Sequence, residues 1–309
     1  MRTVLAMLAL ALVPAASLAA ATVTSPTQVV AQIPVGFGPC GSAGGFGSVW
    51  VANTRSGTVS RVDPATNRVR GTVRVGRIPC GVAVGAGSVW VEIFGQARIE
   101  RINPRRMKVT KRIGVGRQPW DVLFAAGSVW ASNSFAGTVS RISPRTNRVV
   151  ATIRTGGSPA NLHFAAGSVW VGSNTGDQAF RIDPATNRVT RVGLPGEDAP
   201  GSIAGNDDAI WVSNRDSHTV SRLDPTTNRV VATIPVDGGP VIPAVASDVT
   251  VFVPNSQAGS LSRIDPATNS VIETIQMGGN PVIVRSAFGD LWVGTFGGGG
   301  RHLWRLRVG

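Results

Sequence analysis

Trp120 and Asp121 stand where a neighbouring copy of the same phrase carries cysteine and glycine: "QPWDVLFAAGSVWA" (118–131) against "IPCGVAVGAGSVWV" (78–91). An aromatic face beside a carboxylate offers stacking together with charge or hydrogen-bond acceptance, which is the chemistry of recognition. Asn161 stands in the same register one copy later, and Phe135, Arg55 and Arg215 lie in loops that vary between copies. These six residues form the candidate ligand-binding set. The case for catalysis is thinner. His163, His218 and His302 are scattered without metal-ligand spacing, and His163 in a strand pattern reads as a satisfied, part-buried ring. Glu92 is the one acid directly after a "VWV", but a lone carboxylate names no partner. No catalytic residue, metal or cofactor is expected.

The elements that must hold these residues come from repetition. The phrase "GSVWVANTRSGTVSRVDPATNRV" (47–69) returns with its aromatic at Trp50, Trp90, Trp130, Trp170, Trp211, Phe252 and Trp292, at intervals of 40 or 41 residues. Each unit parses into four short strands, as in 79–85, 87–93, 97–103 and 107–115, rich in valine, isoleucine and threonine and bounded by Gly, Pro, Asn and Asp. A four-stranded antiparallel sheet of about 40 residues is a propeller blade, so the spacing predicts an all-β, seven-bladed β-propeller. The last unit stops one strand short, while "QVVAQIPVG" (28–36) matches "RVVATIPVD" (229–237). The N-terminal strand is therefore expected to complete the seventh blade and remove an open edge.

The turn "DPATN", at Asp63, Asp183 and Asp265, is a structural turn: the Asp accepts backbone N–H groups, Pro sets φ and Asn tolerates a left-handed backbone. Its ligand spacing does not fit a calcium loop. The repeated Trp is expected to fill the gap between blades, and the Arg present once per blade (Arg61, Arg101, Arg141, Arg181, Arg222, Arg263, Arg305) to bridge within its turn or to a neighbour.

Residues 1–21 read as a secretory signal peptide: Arg2, an apolar stretch, then small residues. Residues 22–309 form the propeller, and the expected location is secreted or extracytoplasmic, in the periplasm or cell envelope. The short apolar stretch with Pro14 predicts no membrane span after processing, although a retained anchor stays open. The net charge of +13, carried by 28 arginines and two lysines, makes an acidic polymer or nucleic acid an alternative partner. Cys40 and Cys80 occupy matching positions in adjacent units. In an exported chain that points to a disulfide. Matching positions on neighbouring blades lie near or slightly beyond the Cα separation a bridge spans, so the pairing is left open.

"VWVANTRSGTVSRVDPATNRVRGTVRVGRIPCGVAVG" resembles the YVTN-type β-propeller repeat, with Trp where that family carries Tyr, and the likeness covers all seven units. It implies a propeller at the cell surface or in the periplasm. A more distant resemblance, to streptogramin B (virginiamycin B) lyase-like propellers, implies a C–O lyase using Mg²⁺ with histidines after the inner-strand prolines and a glutamate closing a second strand. Here those positions hold Cys40, Cys80, Trp120, Ala160, Gly201, Val241 and Val282, and Asn53, Ile93, Asn133, Ser173, Asn214, Asn255 and Thr295. An elimination needs a base at the reacting proton, and none stands there.

Uniform turns build one face; the divergent loops and proline-containing links share the other, around the channel mouth. The expected function is a non-catalytic binding or scaffolding module. It would recognise a small molecule, glycan or protein on that divergent face, and a monomer is expected.

Overall fold

In the computed structural model, which describes residues 26–245, 250–296 and 300–308, the chain is built from seven four-stranded antiparallel sheets. The first blade comprises Pro39–Gly45, Ser48–Asn53, Thr58–Asp63 and Arg68–Arg74, running from the inside outward. The second comprises Pro79–Gly85, Ser88–Ile93, Arg98–Asn103 and Lys108–Gly114, within a residue or two of the boundaries read from the sequence. In five blades the turn joining the first and second strands is a two-residue connection with both residues at positive φ, such as Ala86 at 47° and Gly87 at 69°. That backbone twist matches the twist of the strands it joins. The signal-peptide reading lies outside the described residues.

Burial follows position in the stack. All six residues of Ser48–Asn53 are buried, because a second strand is covered on both faces by neighbouring blades. The outer strand Arg68–Arg74 keeps one inward side chain, Val73. The repeated Trp rings are fully buried between blades: Trp50 packs with Val82, Val89 and Val91 of the next blade, and Trp90 with Val122, Val129 and Ala131 of the one after. Each indole N–H also needs an acceptor, and Trp90 donates to the Gly85 carbonyl at 3.0 Å. At about 25 cal/mol per Å² and roughly 200 Å² of ring surface, each Trp contributes up to about 5 kcal/mol.

The arginine ring joins blade to blade. Arg101 donates to Ser88 Oγ (2.7 Å) in its own blade and to the Pro144 carbonyl (2.9 Å) and Asn147 Oδ1 (2.8 Å) of the next, while its guanidinium lies 4.8 Å from the Trp90 ring. Arg141, Arg181 and Arg222 make the equivalent bonds to Asn187, Asn228 and Asn269. The acceptors are the Pro carbonyl and Asn amide of the neighbour's "DPATN" turn. The Asp of that turn serves its own loop, as where Ala65 N–H donates to Asp63 Oδ1 at 2.8 Å.

Closure is made by the N-terminal strand. Gln28–Pro34 pairs antiparallel with His302–Arg307 and becomes the outer strand of the seventh blade. Arg305 of that blade then bonds the Pro64 carbonyl and Asn67 Oδ1 (2.8 Å) of the first, completing the ring. The sixth blade departs from the regular pattern. Among the described residues its inner strand is Ala244–Val245, and Pro243, which has no ladder donor, stands where the second blade pairs Val82 with Val91. Ile242 pairs parallel with Ile283 of the seventh blade instead.

Candidate functional site

At the divergent end, the residues that follow the inner-strand prolines converge. Cys40, Cys80, Trp120, Gly201, Val241 and Val282 line a cavity of about 360 Å³, together with Ile78, Phe94, Ile242, Ile283 and Phe296. They meet there because each inner strand starts at its proline, and the first side chain of the strand borders the axis. Arg215, Asn174 and Ser213 add polar groups, and Glu92 and Asp121 add two carboxylates. A second cavity, about 340 Å³, opens from the uniform face and contains His163 and Arg285; Asp121 borders both.

Asp121 is buried and clamped. Its Oδ1 accepts Val122 N–H (2.9 Å), while its Oδ2 accepts Asn161 Nδ2 (2.5 Å) and Leu162 N–H (3.0 Å) of the next blade. Burial pushes its carboxyl up, against the Arg285 guanidinium and these hydrogen bonds, which pull it down. Asn161, itself fully buried, passes the link on by accepting Ile203 N–H at 2.9 Å. Both side chains therefore stitch blades three, four and five together.

Glu92 is the residue whose role the sequence did not reveal. It is 1% exposed, accepts Gly81 N–H through Oε1 at 3.0 Å, and its Oε2 meets no donor. Burial pushes its carboxyl well above the usual carboxylate range; the backbone amides of Gly81, Cys80 and Phe94 pull it down and the Asp121 charge adds to the rise. The two acids meet across Gly81: a Cβ there would stand 2.7 Å from Asp121 Oδ1 and 3.0 Å from Glu92 Cγ, so glycine is what lets them approach. Blade two also carries Ile93 where four other blades place an asparagine. In those blades the Asn amide clamps the third strand, as Asn53 Nδ2 does on Ser60 Oγ (2.9 Å). Ile93 and the acid before it were the available signal.

The six candidate binding residues divide. Trp120, 39% exposed and edge-on to Phe94 at 6.0 Å, lines the divergent cavity with Asp121 and Arg215. Arg215 pairs with Asp216 at 3.0 Å. Arg55 lies over the Phe296 ring at 5.2 Å, in an adjoining cleft with Arg74, Arg77 and Arg98. Asn161 sits behind Asp121, and Phe135, 61% exposed under Arg117, stands away from the cavity. Cys40 and Cys80 are joined by a disulfide with a Cα separation of 5.1 Å. The inner strands draw this close near the axis, where a Cβ on Gly41 would collide with the Cys80 carbonyl oxygen. His163 donates from Nε2 to the Gly205 carbonyl of the next blade at 2.8 Å, and burial lowers its pKa to about 4. Among the described residues no cluster of three His, Cys, Asp or Glu side chains could hold a metal ion.

No family model matches the sequence, and no curated protein matches it. Among solved structures the chain is similar to a streptogramin B lyase, with a TM-score of 0.80 at 16% identity over 92% of this chain and 98% of that one. It is similar to a catalytically inactive virginiamycin B lyase from Staphylococcus aureus with quinupristin, at 0.79 and 16% over 91% and 99%. It is also similar to Kuenenia stuttgartiensis hydrazine synthase, at 0.80 and 14% over 88% and 96%. At such identities the likeness establishes the propeller fold alone.

Proposed function

We propose that the chain is an exported binding module, a propeller of YVTN-type repeats that holds a small, mostly apolar molecule at the divergent mouth of its channel without transforming it. The observation that carries this reading is the cavity of about 360 Å³ that six of the seven post-proline residues line. Concave, largely apolar lining with a few fixed polar groups is the usual form of a small-molecule site. The rim supports the reading: Trp120 is exposed on one side and braced by Phe94 on the other, so a ligand stacks on it without new ordering cost. The lyase-like neighbours share the frame, but the positions for their histidines and glutamate carry a disulfide, amides, hydroxyls and apolar groups here. Calorimetric titration with neutral apolar probes such as 2-phenylethanol tests the reading. Saturable binding is expected, weakened at least about tenfold in Trp120→Ala and unchanged in Phe135→Ala. A flat titration, or equal loss in both variants, would remove the site from this mouth.

A further inference from the structure

We propose that this cavity selects ligands carrying an ammonium group on an apolar body, with Glu92 as the anchor of the charged head. The assignment rests on the reading of the cavity as a ligand site and adds the chemistry of its occupant.

Glu92 carries the argument. It is fully buried, borders the cavity, and has one oxygen hydrogen-bonded by Gly81 N–H, while the other, with the Cys80 and Phe94 amides nearby, makes no hydrogen bond of normal geometry. A buried carboxyl oxygen left unpaired is costly, and a ligand N–H in the cavity would satisfy it. Asp121 stands on the other side of Gly81, so its carboxylate gives this end of the cavity a negative field. Asp121 is itself fully bonded, and Arg285 faces it from the far cavity, so it contributes charge rather than an open acceptor. Among the described residues bordering the divergent cavity the one basic side chain is Arg215, already paired with Asp216. Trp120 and Phe94, set edge to face, present ring surface to a cation and to its apolar body. A neutral carbonyl would use a protonated Glu92 alone; an ammonium uses Glu92, the Asp121 field and the rings together.

Burial raises the Glu92 carboxyl, and the bound ammonium opposes that shift: any proton the free site holds goes to solvent, and the carboxylate takes the N–H hydrogen bond. The charged groups around it are Asp121, with Arg285 beyond, and Arg215. Calorimetry with 2-phenylethylamine and its neutral counterpart 2-phenylethanol, in two buffers of different ionisation enthalpy at pH 7, is the test. The amine is expected to bind at least about tenfold more tightly, with net proton release, since a charge-assisted hydrogen bond is worth that factor. Glu92→Gln should bring the amine to the alcohol's affinity and abolish proton release. If the alcohol binds as well as the amine, or Glu92→Gln keeps the preference, the ammonium assignment falls while the cavity reading stands. If neither probe binds, both fall. Should the variant not fold, the amine-to-alcohol ratio and proton count of the natural chain decide.

Discussion

His163, part-buried, and Glu92, fully buried, are titratable groups that make the stability of the fold depend on pH in different windows. The imidazole of His163 is held neutral: burial lowers its pKa from 6.5 to about 4 while Nε2 donates to the Gly205 carbonyl. The unfolded chain takes up a proton below pH 6.5 that the folded chain refuses, so the contribution is complete above 6.5 and is lost as pH falls towards 4. The ring is part-exposed to the channel, which brings the loss below the full shift, to about 2 kcal/mol. Urea unfolding of the natural chain and of His163→Gln at pH 7 and pH 4 should show the two converging by that amount at the acid end. A constant difference would mean the ring is not held neutral. Glu92 works the other way: its raised pKa means the folded form keeps a proton the unfolded form gives up, so its cost grows as pH rises from 4.5.

Between elements, the join is the arginine that leaves the third strand of one blade for the turn of the next. Arg101 unites four hydrogen bonds and the face of Trp90 at one inter-blade seam. Hydrogen bonds to a charged group and a cation–π contact together make Arg101→Ala cost about 2–4 kcal/mol. Arg101→Lys should recover little, because a single ammonium cannot reach Ser88, Pro144 and Asn147 at once. Denaturant midpoints of the two variants check this; a lysine variant as stable as the natural chain would show that charge alone holds the seam.

For the whole molecule the decisive contact joins the two ends of the chain. Gln28–Pro34 supplies the outer strand of a blade whose other strands come from Pro281–Ala287, Asp290–Thr295 and His302–Arg307. Ile33 packs there against Leu303, in the cluster that also holds Trp292 and Val49 of the first blade. Removing residues 28–34 would expose a strand edge, and an unpaired edge is a template for association. The truncated chain is expected to lose a single cooperative transition and to self-associate in analytical ultracentrifugation, with a peptide of residues 28–36 added in trans reversing both. Monomeric, cooperative behaviour without the strand would show that the ring does not depend on this closure.

Repetition made most of this fold legible. A period of 40 or 41 residues fixed the blade, its four strands and the number of copies, and the displaced match of 28–36 to 229–237 fixed the closure. Each of those features is local to one unit and recurs, so spacing suffices. The candidate site was only partly legible, because it is formed by single residues from separate blades whose meeting depends on how far the inner strands converge. Trp120 and Asp121 stood out by breaking a repeat, yet Asp121 turns inward to clamp Asn161 and Phe135 lies outside the cavity. Glu92 was visible as an odd acid in an apolar strand, but nothing in the linear order places it against Gly81 or beside Asp121, 29 positions away. The sequence determined which surfaces stack, since burying alternate apolar faces has one outcome at this period. Tertiary structure decided which polar groups share a cavity, since that depends on distances across the axis that no strand pattern encodes.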